Sequence, residues 1–358
     1  MSAFARSCTD VAGRVTHTRV STFQGESMSR SRSTLAVVGA LVSVGALVAC
    51  GGPESATAED GFTSVTVGNM NSNSLTFPLL VAQEEGFFTD VGLRVDTVNS
   101  VSGPELTAAL IGGTTQIAVG TPENVMPAMA QGQDILTIPP FGRLDMSLVT
   151  LADSGIEDIS ALAGRQVGVV QRGSFSEKFA RSVIADHGLD PDSVTYVAVG
   201  SGATMEPAVR NRKVDATVGA TSTVALLEQH GLDVRTLANS LDGTGGEAGT
   251  FGMQTMWTTT APFQQQHPGI VDGFCTAMNR AGAWIADDAN RDAGAQKLST
   301  LLAVPQETAE KIWDRTHLSW TYRIDQEKWD KVSAWVLEEN TSELPYTDHV
   351  MTDCGEQL

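Results

Sequence analysis

The sequence predicts an α/β protein made of two similar units, and three observations carry that prediction. The chain has 358 residues, more than a single hydrophobic core ordinarily spans. Short β-rich runs alternate with helical patterns, the signature of βα units around a mainly parallel sheet. The same order of elements then recurs about a hundred residues further on.

In the first unit Val65–Gly68 reads as a strand, Leu75–Glu85 as a helix, Leu93–Val98 as an alternating strand and Pro104–Ile111 as a helix. Gln116–Val119 reads as a third strand. Thr121-Pro122-Glu123 opens the next helix with a cap residue, a proline in the first turn and an acid. In the second unit Val167–Val170, Val194–Val199 and Asp215–Gly219 read as strands. Ser174-Phe175-Ser176-Glu177 has the form of a capping box. Gly103 and Gly202, Gly120 and Gly219, and Val95 and Val194 are each offset by 99 residues, and Val67 and Val169 by 102. Duplication of one α/β half explains four features recurring in order.

Composition removes several functional classes. The 41% apolar content argues against global disorder. With 42 acidic against 23 basic side chains and a net charge of −19, the chain lacks the cations that a nucleic-acid reader needs. Its six histidines are scattered, with no pair at metal-ligand spacing. Neither a Gly-x-Ser-x-Gly elbow nor a phosphate-binding loop ending in Lys-Ser/Thr is present. The expectation is a non-enzyme without cofactor or metal.

From Met28 the sequence reads MSRSRSTLAVVGALVSVGALVACGG. Arg30 and Arg32 precede an uncharged run from Leu35 to Val48, too short to span a bilayer and suited to a signal peptide. Leu47-Val48-Ala49-Cys50-Gly51 resembles a bacterial lipobox, which implies a lipid-anchored Cys50. Residues 1–27 read as an over-extended start, 28–49 as the signal peptide and 50–61 as a flexible tether. Cleavage before Cys50 removes five arginines and two acids, leaving 18 basic and 40 acidic side chains, net −22, over 309 residues. Cys275 and Cys354 then remain in an exported chain, where a single bridge between them is expected; two unpaired thiols are the alternative.

Ligands of open parallel sheets sit beyond the carboxyl ends of the strands. The six turns there run from Asn69 to Ser74, Ser100 to Gly103, Gly120 to Asn124, Gln171 to Ser176, Gly200 to Thr204 and Gly219 to Thr223. They are rich in Asn, Ser, Thr and Gly. Such residues either cap the following helix or contact a ligand. The candidate contacts are Asn69, Asn71, Ser72, Ser102, Thr121, Arg172, Ser174, Ser201 and Thr221. Trp257 joins them as a stacking surface, with hinge packing as its alternative. Arg143 is a weaker cationic candidate, while Trp313, Trp320, Trp329 and Trp335 read as packing residues. Helix N-termini favour an oxyanion. Against that choice, Glu123, Glu177 and Glu206 occupy first turns and could read an amine or aminopyrimidine.

The stretch FPLLVAQEEGFFTDVGLRVDTV from Phe77 to Val98 resembles the opening of substrate-binding lipoproteins of ABC importers. The similarity is greatest to the branch that binds nitrate, taurine, alkanesulfonate and thiamine precursors. ALIGGTTQIAVG, MAQGQDI, LAGRQVGVVQRGSFSEKFARSVIADHGLDPDSVTYVAVG and NRKVDATVG continue the resemblance, which covers about Val65 to Leu237. It implies a type II periplasmic-binding-protein fold with two lobes, each a mainly parallel sheet flanked by helices, joined by two crossover strands. The implied divisions are 62–152 for the first part of lobe I, 153–253 for lobe II and 254–358 for the return and the C-terminal helices. The crossovers are expected near Leu148–Asp153 and Met253–Thr260. The implied function is capture of a small solute by lobe closure at the outer face of the bacterial cytoplasmic membrane, by a monomer that delivers it to an ABC permease. A sulfonate, carboxylate or related oxyanion is the first choice of solute, an aminopyrimidine or other heteroaromatic is the alternative, and an enzyme or a sensor receptor on the same fold stands behind both. A pyrimidine synthase on this fold carries a cysteine-rich iron-linked motif; this sequence has no cysteine cluster.

Overall fold

A computed structural model describes residues 61–70, 74–100, 103–338, 344–352 and 354. The predicted signal peptide, Cys50 and the tether up to residue 60 lie outside these, as do Asn71, Ser72 and Ser102. Among the described residues ten strands form two five-stranded sheets: β1 (Thr63–Met70), β2 (Leu93–Ser100), β3 (Ile117–Gly120), β4 (Ile135–Arg143), β5 (Ser147–Leu151), β6 (Gln166–Val169), β7 (Thr195–Ala198), β8 (Ala216–Gly219), β9 (Val234–Asn239) and β10 (Met253–Thr260). The first sheet has the order β2-β1-β3-β10-β4 and the second β7-β6-β8-β5-β9.

The recurrence in the sequence is visible in these orders. β1 pairs in parallel with β2 and β3, and β6 pairs in parallel with β7 and β8. In each sheet an antiparallel strand then follows, β10 beside β3 and β5 beside β8. Each sheet is therefore mainly parallel, as expected, with four strands running one way and a single reversed strand, β10 or β5, between them. The reversed strand is in each case the one received from a chain that has just left the other sheet.

The two crossings bind the halves together. The chain leaves the first sheet after Arg143 and enters the second at Ser147, so Leu144–Met146 makes the first crossing. The segment expected to do so, Leu148–Asp153, begins with β5, a strand of the second sheet paired on both sides. The return lies between Asn239 and Met253, and β10 is itself a central strand of the first sheet. Arg143 ties this return in place by donating to Ser240 O and Gly249 O, each at 3.0 Å. It is a structural clasp, not a ligand arm.

Gly120 and Gly219, which end the equivalent strands β3 and β8, answer to one steric demand. A Cβ on Gly219 would lie 3.1 Å from Thr223 Cγ2, and one on Gly120 would collide with Val125 Cγ2. In each case the missing side chain lets the next helix start close against the strand end.

Phe77, Trp257, Phe274, Trp313 and Trp320 belong to a core on the first sheet. A second core joins Val167, Phe179 and Val218 of the second sheet to Phe141 and to Trp329 of the helix Gln326–Leu337. The C-terminal helices are not confined to the first sheet. Helix Gln306–Thr316 packs on helix Thr221–Gln229, with Arg315 and Glu228 3.6 Å apart. Trp335 stands edge-on to Phe175 and Phe251. No helix among the described residues is long and apolar enough to cross a membrane.

Candidate functional site

A cavity of about 350 Å³ opens where the carboxyl ends of the two sheets meet, within the range typical of small-molecule sites. From the first half come Ser74 and Leu75, in the turn that opens helix Phe77–Glu84, with Leu302 beside them. The second half supplies all three of its turns: Ser176 after β6, Ser201 and Gly202 after β7, and Gly219 to Thr223 after β8, Thr221 excepted. Met146 of the first crossing and Gln254 of β10 complete the wall. Thus four of the six expected turns converge.

The lining is divided in character. Leu75, Met146, Met205, Val218, Leu226 and Leu302 give an apolar surface. Ser74, Ser222, Thr223 and Gln254 supply polar groups, and among the described residues no lining side chain is ionisable. Ser74 is 4% exposed and Thr223 7%, yet their hydroxyls have no protein partner among the described residues, and the same holds for Ser222. Polar groups so deeply placed are ordinarily hydrogen-bonded, so a ligand or water must complete them.

The residues singled out from the sequence fall in different places. Ser201 lines the cavity. Thr221 sits just behind it, giving its N–H at 3.1 Å and its hydroxyl at 2.6 Å to Asp145 Oδ1. Ser174 is also a layer back, with its Oγ 2.8 Å from Ser176 Oγ. Thr121 stands at the N-cap position of helix Pro122–Ala130 without a side-chain capping bond, and its Oγ1 accepts from Asn124 Nδ2 at 2.7 Å. Asn69 donates to Asn99 Oδ1 at 3.2 Å and lines a separate cavity of about 210 Å³ with Met70 and Thr76.

Two expectations are corrected. Arg172 does not reach the cavity: its Nε donates to Glu177 at 2.8 Å, an Nη donates to Tyr196 O at 3.2 Å, and 60% of its side chain faces solvent. Burial alone would raise the Glu177 carboxyl, but the bonds from Arg172 and the Gly173 N–H hold it below the usual range. Trp257 is 4% exposed and packs edge-on against Phe274, ring centres 5.6 Å apart. It fills the core of the first sheet instead of stacking on a ligand.

Asp145, which the sequence did not single out, occupies the first crossing and is 1% exposed. Burial pushes its carboxyl above the usual range, partly opposed by the bonds from Thr221, and Oδ2 has no partner. A raised carboxyl favours the protonated folded state, so its contribution to stability falls as pH rises from about 4 toward the raised value. Asp145→Asn keeps the acceptor for Thr221 and removes the titration. The variant is expected to gain stability relative to wild type between pH 4 and 7, read from urea midpoints; a constant difference over that range contradicts this.

Comparison with known proteins adds the family. The model described as NMT1/THI5 like matches residues 73–291. A 4-amino-5-hydroxymethyl-2-methylpyrimidine phosphate synthase of Legionella pneumophila is 25% identical over 225 residues, covering 61% of this chain and 68% of that protein. Its namesake in Schizosaccharomyces pombe is 25% identical over 165 residues, and there the chain spans less than half of the relative, 46%. Among solved structures, the alkanesulfonate-binding protein SsuA from Xanthomonas axonopodis bound to MOPS has a TM-score of 0.64 at 17% identity, covering 80% of this chain and 98% of that one. The periplasmic nitrate-binding protein NrtA from Synechocystis has a TM-score of 0.56 at 14% identity, with 69% of each chain covered. The fold is thus that of the periplasmic binding proteins, and a family match spanning more than half of the sequence shows that the chain belongs to the NMT1/THI5-like family.

Proposed function

We propose that this chain is the solute-binding component of an ABC importer, an exported monomer anchored through Cys50 and delivering its solute to a membrane permease. The observation that carries this reading is the cavity between the two sheets, where the hydroxyls of Ser74, Ser222 and Thr223 and the NH2 of Gln254 have no partner among the described residues. Polar groups from both halves around one cavity suit capture by closure of the halves on a solute.

The lining favours an organic oxyanion over a bare inorganic one. An anionic head would meet hydroxyls and the starts of helices Phe175–Asp186 and Thr221–Gln229. An attached carbon chain would rest on Leu75, Met146, Met205 and Leu302. Nitrate offers nothing to that apolar side. A second reading, a heteroaromatic such as an aminopyrimidine, draws support from the names of the curated relatives and from Met146 and Met205, since thioethers pack well on aromatic rings.

An enzyme reading has less support. Among the described residues the cavity wall carries no ionisable side chain for proton transfer. Cys275 and Cys354 are joined to each other, and among the described residues no cluster of three His, Cys, Asp or Glu is placed to hold a metal ion.

Native mass spectrometry and a thermal-shift series with 1-butanesulfonate, benzenesulfonate, nitrate and 4-aminopyrimidine test the proposal. The expected result is one organic sulfonate bound per chain and stabilisation of about 2.7 kcal/mol at a hundredfold excess over Kd. Stabilisation by the pyrimidine alone would replace the first reading with the second. Chemical conversion of a bound compound would replace both with an enzyme.

A further inference from the structure

We propose that Gln254 reads a hydrogen-bond acceptor on the ligand, presenting an amide NH2 whose direction is fixed by the first crossing. The inference rests on the cavity being the solute site and goes further, by assigning the chemical sense of one contact.

Gln254 lies at an irregularity of β10. The register of β10 against β4 shifts between Met253 and Thr255, and again between Thr255 and Trp257, so Gln254 has no cross-strand partner. Bulges of this kind re-aim a side chain out of the regular alternation. Here the side chain reaches the cavity wall while remaining 92% buried, at 8% exposure. Its Oε1 accepts the backbone N–H of Asp145 at 2.8 Å.

That single bond decides which way the amide points. A backbone N–H can only donate, so the oxygen must face Asp145 and the nitrogen must face the other way. The nitrogen has no protein partner among the described residues. Unlike the hydroxyls of Ser74, Ser222 and Thr223, which can donate or accept, this group can only donate. A ligand that leaves it unpaired forfeits a buried hydrogen bond, so the site selects for an oxygen or ring nitrogen at this point.

The same contact touches both crossings. Gln254 belongs to the return strand, Asp145 to the outgoing segment, and Asp145 Oδ1 holds the start of helix Thr221–Gln229 through Thr221. A ligand atom on Gln254 therefore meets a group braced by the other connection between the halves.

The test is titration calorimetry on the full mature chain with sodium 1-butanesulfonate, and with n-butylammonium chloride as a probe that only donates. Gln254→Glu keeps an oxygen for the Asp145 N–H and loses the NH2 donor, though a carboxylate this deeply buried is expected to lower the melting temperature. Gln254→Met removes the donor without adding charge, and carries the comparison if the first variant does not fold. Both should bind butanesulfonate about tenfold or more weakly than wild type, and butylammonium should not bind wild type in preference. In wild type, a shift of the Gln254 side-chain amide resonance should accompany butanesulfonate binding. Equal affinity of wild type and both variants for butanesulfonate overturns the role of Gln254 and leaves the importer reading standing. A wild-type chain that ignores butanesulfonate, or prefers butylammonium, overturns both this assignment and the choice of an oxyanion.

Discussion

Replacing Trp329 with alanine is expected to cost about 3–5 kcal/mol of stability, the range for emptying a large buried aromatic site. Its side chain is fully buried, at 0% exposure. The indole Nε1 donates to Leu344 O at 2.7 Å, and the ring lies face-on to His349 and edge-on to Tyr346. Alanine would leave a void and strip a buried carbonyl of its donor. The damage would spread, because helix Gln326–Leu337 packs both on helix Pro122–Ala130, next to the first sheet, and on helix Gly246–Phe251, in the return between sheets. Trp329→Phe should retain much of the packing and lose chiefly the hydrogen bond. Urea denaturation followed by circular dichroism measures both; a loss below 1 kcal/mol for the alanine variant would show that this helix is not part of the cooperative core.

Loss of the Cys275–Cys354 bridge is expected to cost about 2–4 kcal/mol. The two residues are joined across a sequence separation of 79, with Cα atoms 5.6 Å apart. Cys275 sits at mid-length in helix Pro268–Ala286, and both sulfur-bearing residues are buried, at 4% and 5% exposure. The bridge closes a long loop in the unfolded chain, the situation in which a cross-link restricts that chain most. It also fastens the C-terminal end to the core that contains Phe274 and Trp313. The double variant Cys275→Ser/Cys354→Ser should therefore melt lower than wild type, and wild type under reductant should approach it. Intact mass should rise by two hydrogens on reduction. Identical melting with and without reductant, at unchanged mass, would mean that the thiols are unpaired in the purified protein.

The sequence made the alternation of elements legible, since hydrophobic runs of four to six residues between turn signals can only be short strands in this setting. The equivalence of β1–β3 and β6–β8 was legible too, because glycine at the end of β3 and of β8 answers to the same steric demand. The first crossing was misplaced by a few residues for a simple reason. Ser147–Leu151 is buried along nearly its whole length, so its apolar content suits a central strand and a connecting segment equally well.

The site was legible as a set of turns and not as individual contacts. Ser201, Gly219, Ala220, Ser222 and Thr223 border the cavity. Arg172 was diverted by Glu177, five residues away, which takes its charge at close range. Trp257 and Gln254 show the limit most plainly. On a strand, facing alternates with every residue, so Gln254 and Trp257, three apart, fall on opposite faces, and the register shifts around Thr255 lie between them. Nothing in the run MQTMWTTT marks those shifts. Asp145 was invisible for a related reason: its partner Thr221 is 76 residues distant and meets it only after the chain changes sheet.

The central claim is that the solute occupies the cavity between the two sheets. Calorimetric titration of 1-butanesulfonate into wild type and into Ser222→Phe tests it directly. Ser222 lines the cavity without a protein partner among the described residues, so a phenyl ring there fills the space with little demand on the surrounding core. The account predicts one site per chain in wild type and no measurable binding in the variant, at similar melting temperatures without ligand. Undiminished binding by a folded Ser222→Phe chain would contradict it.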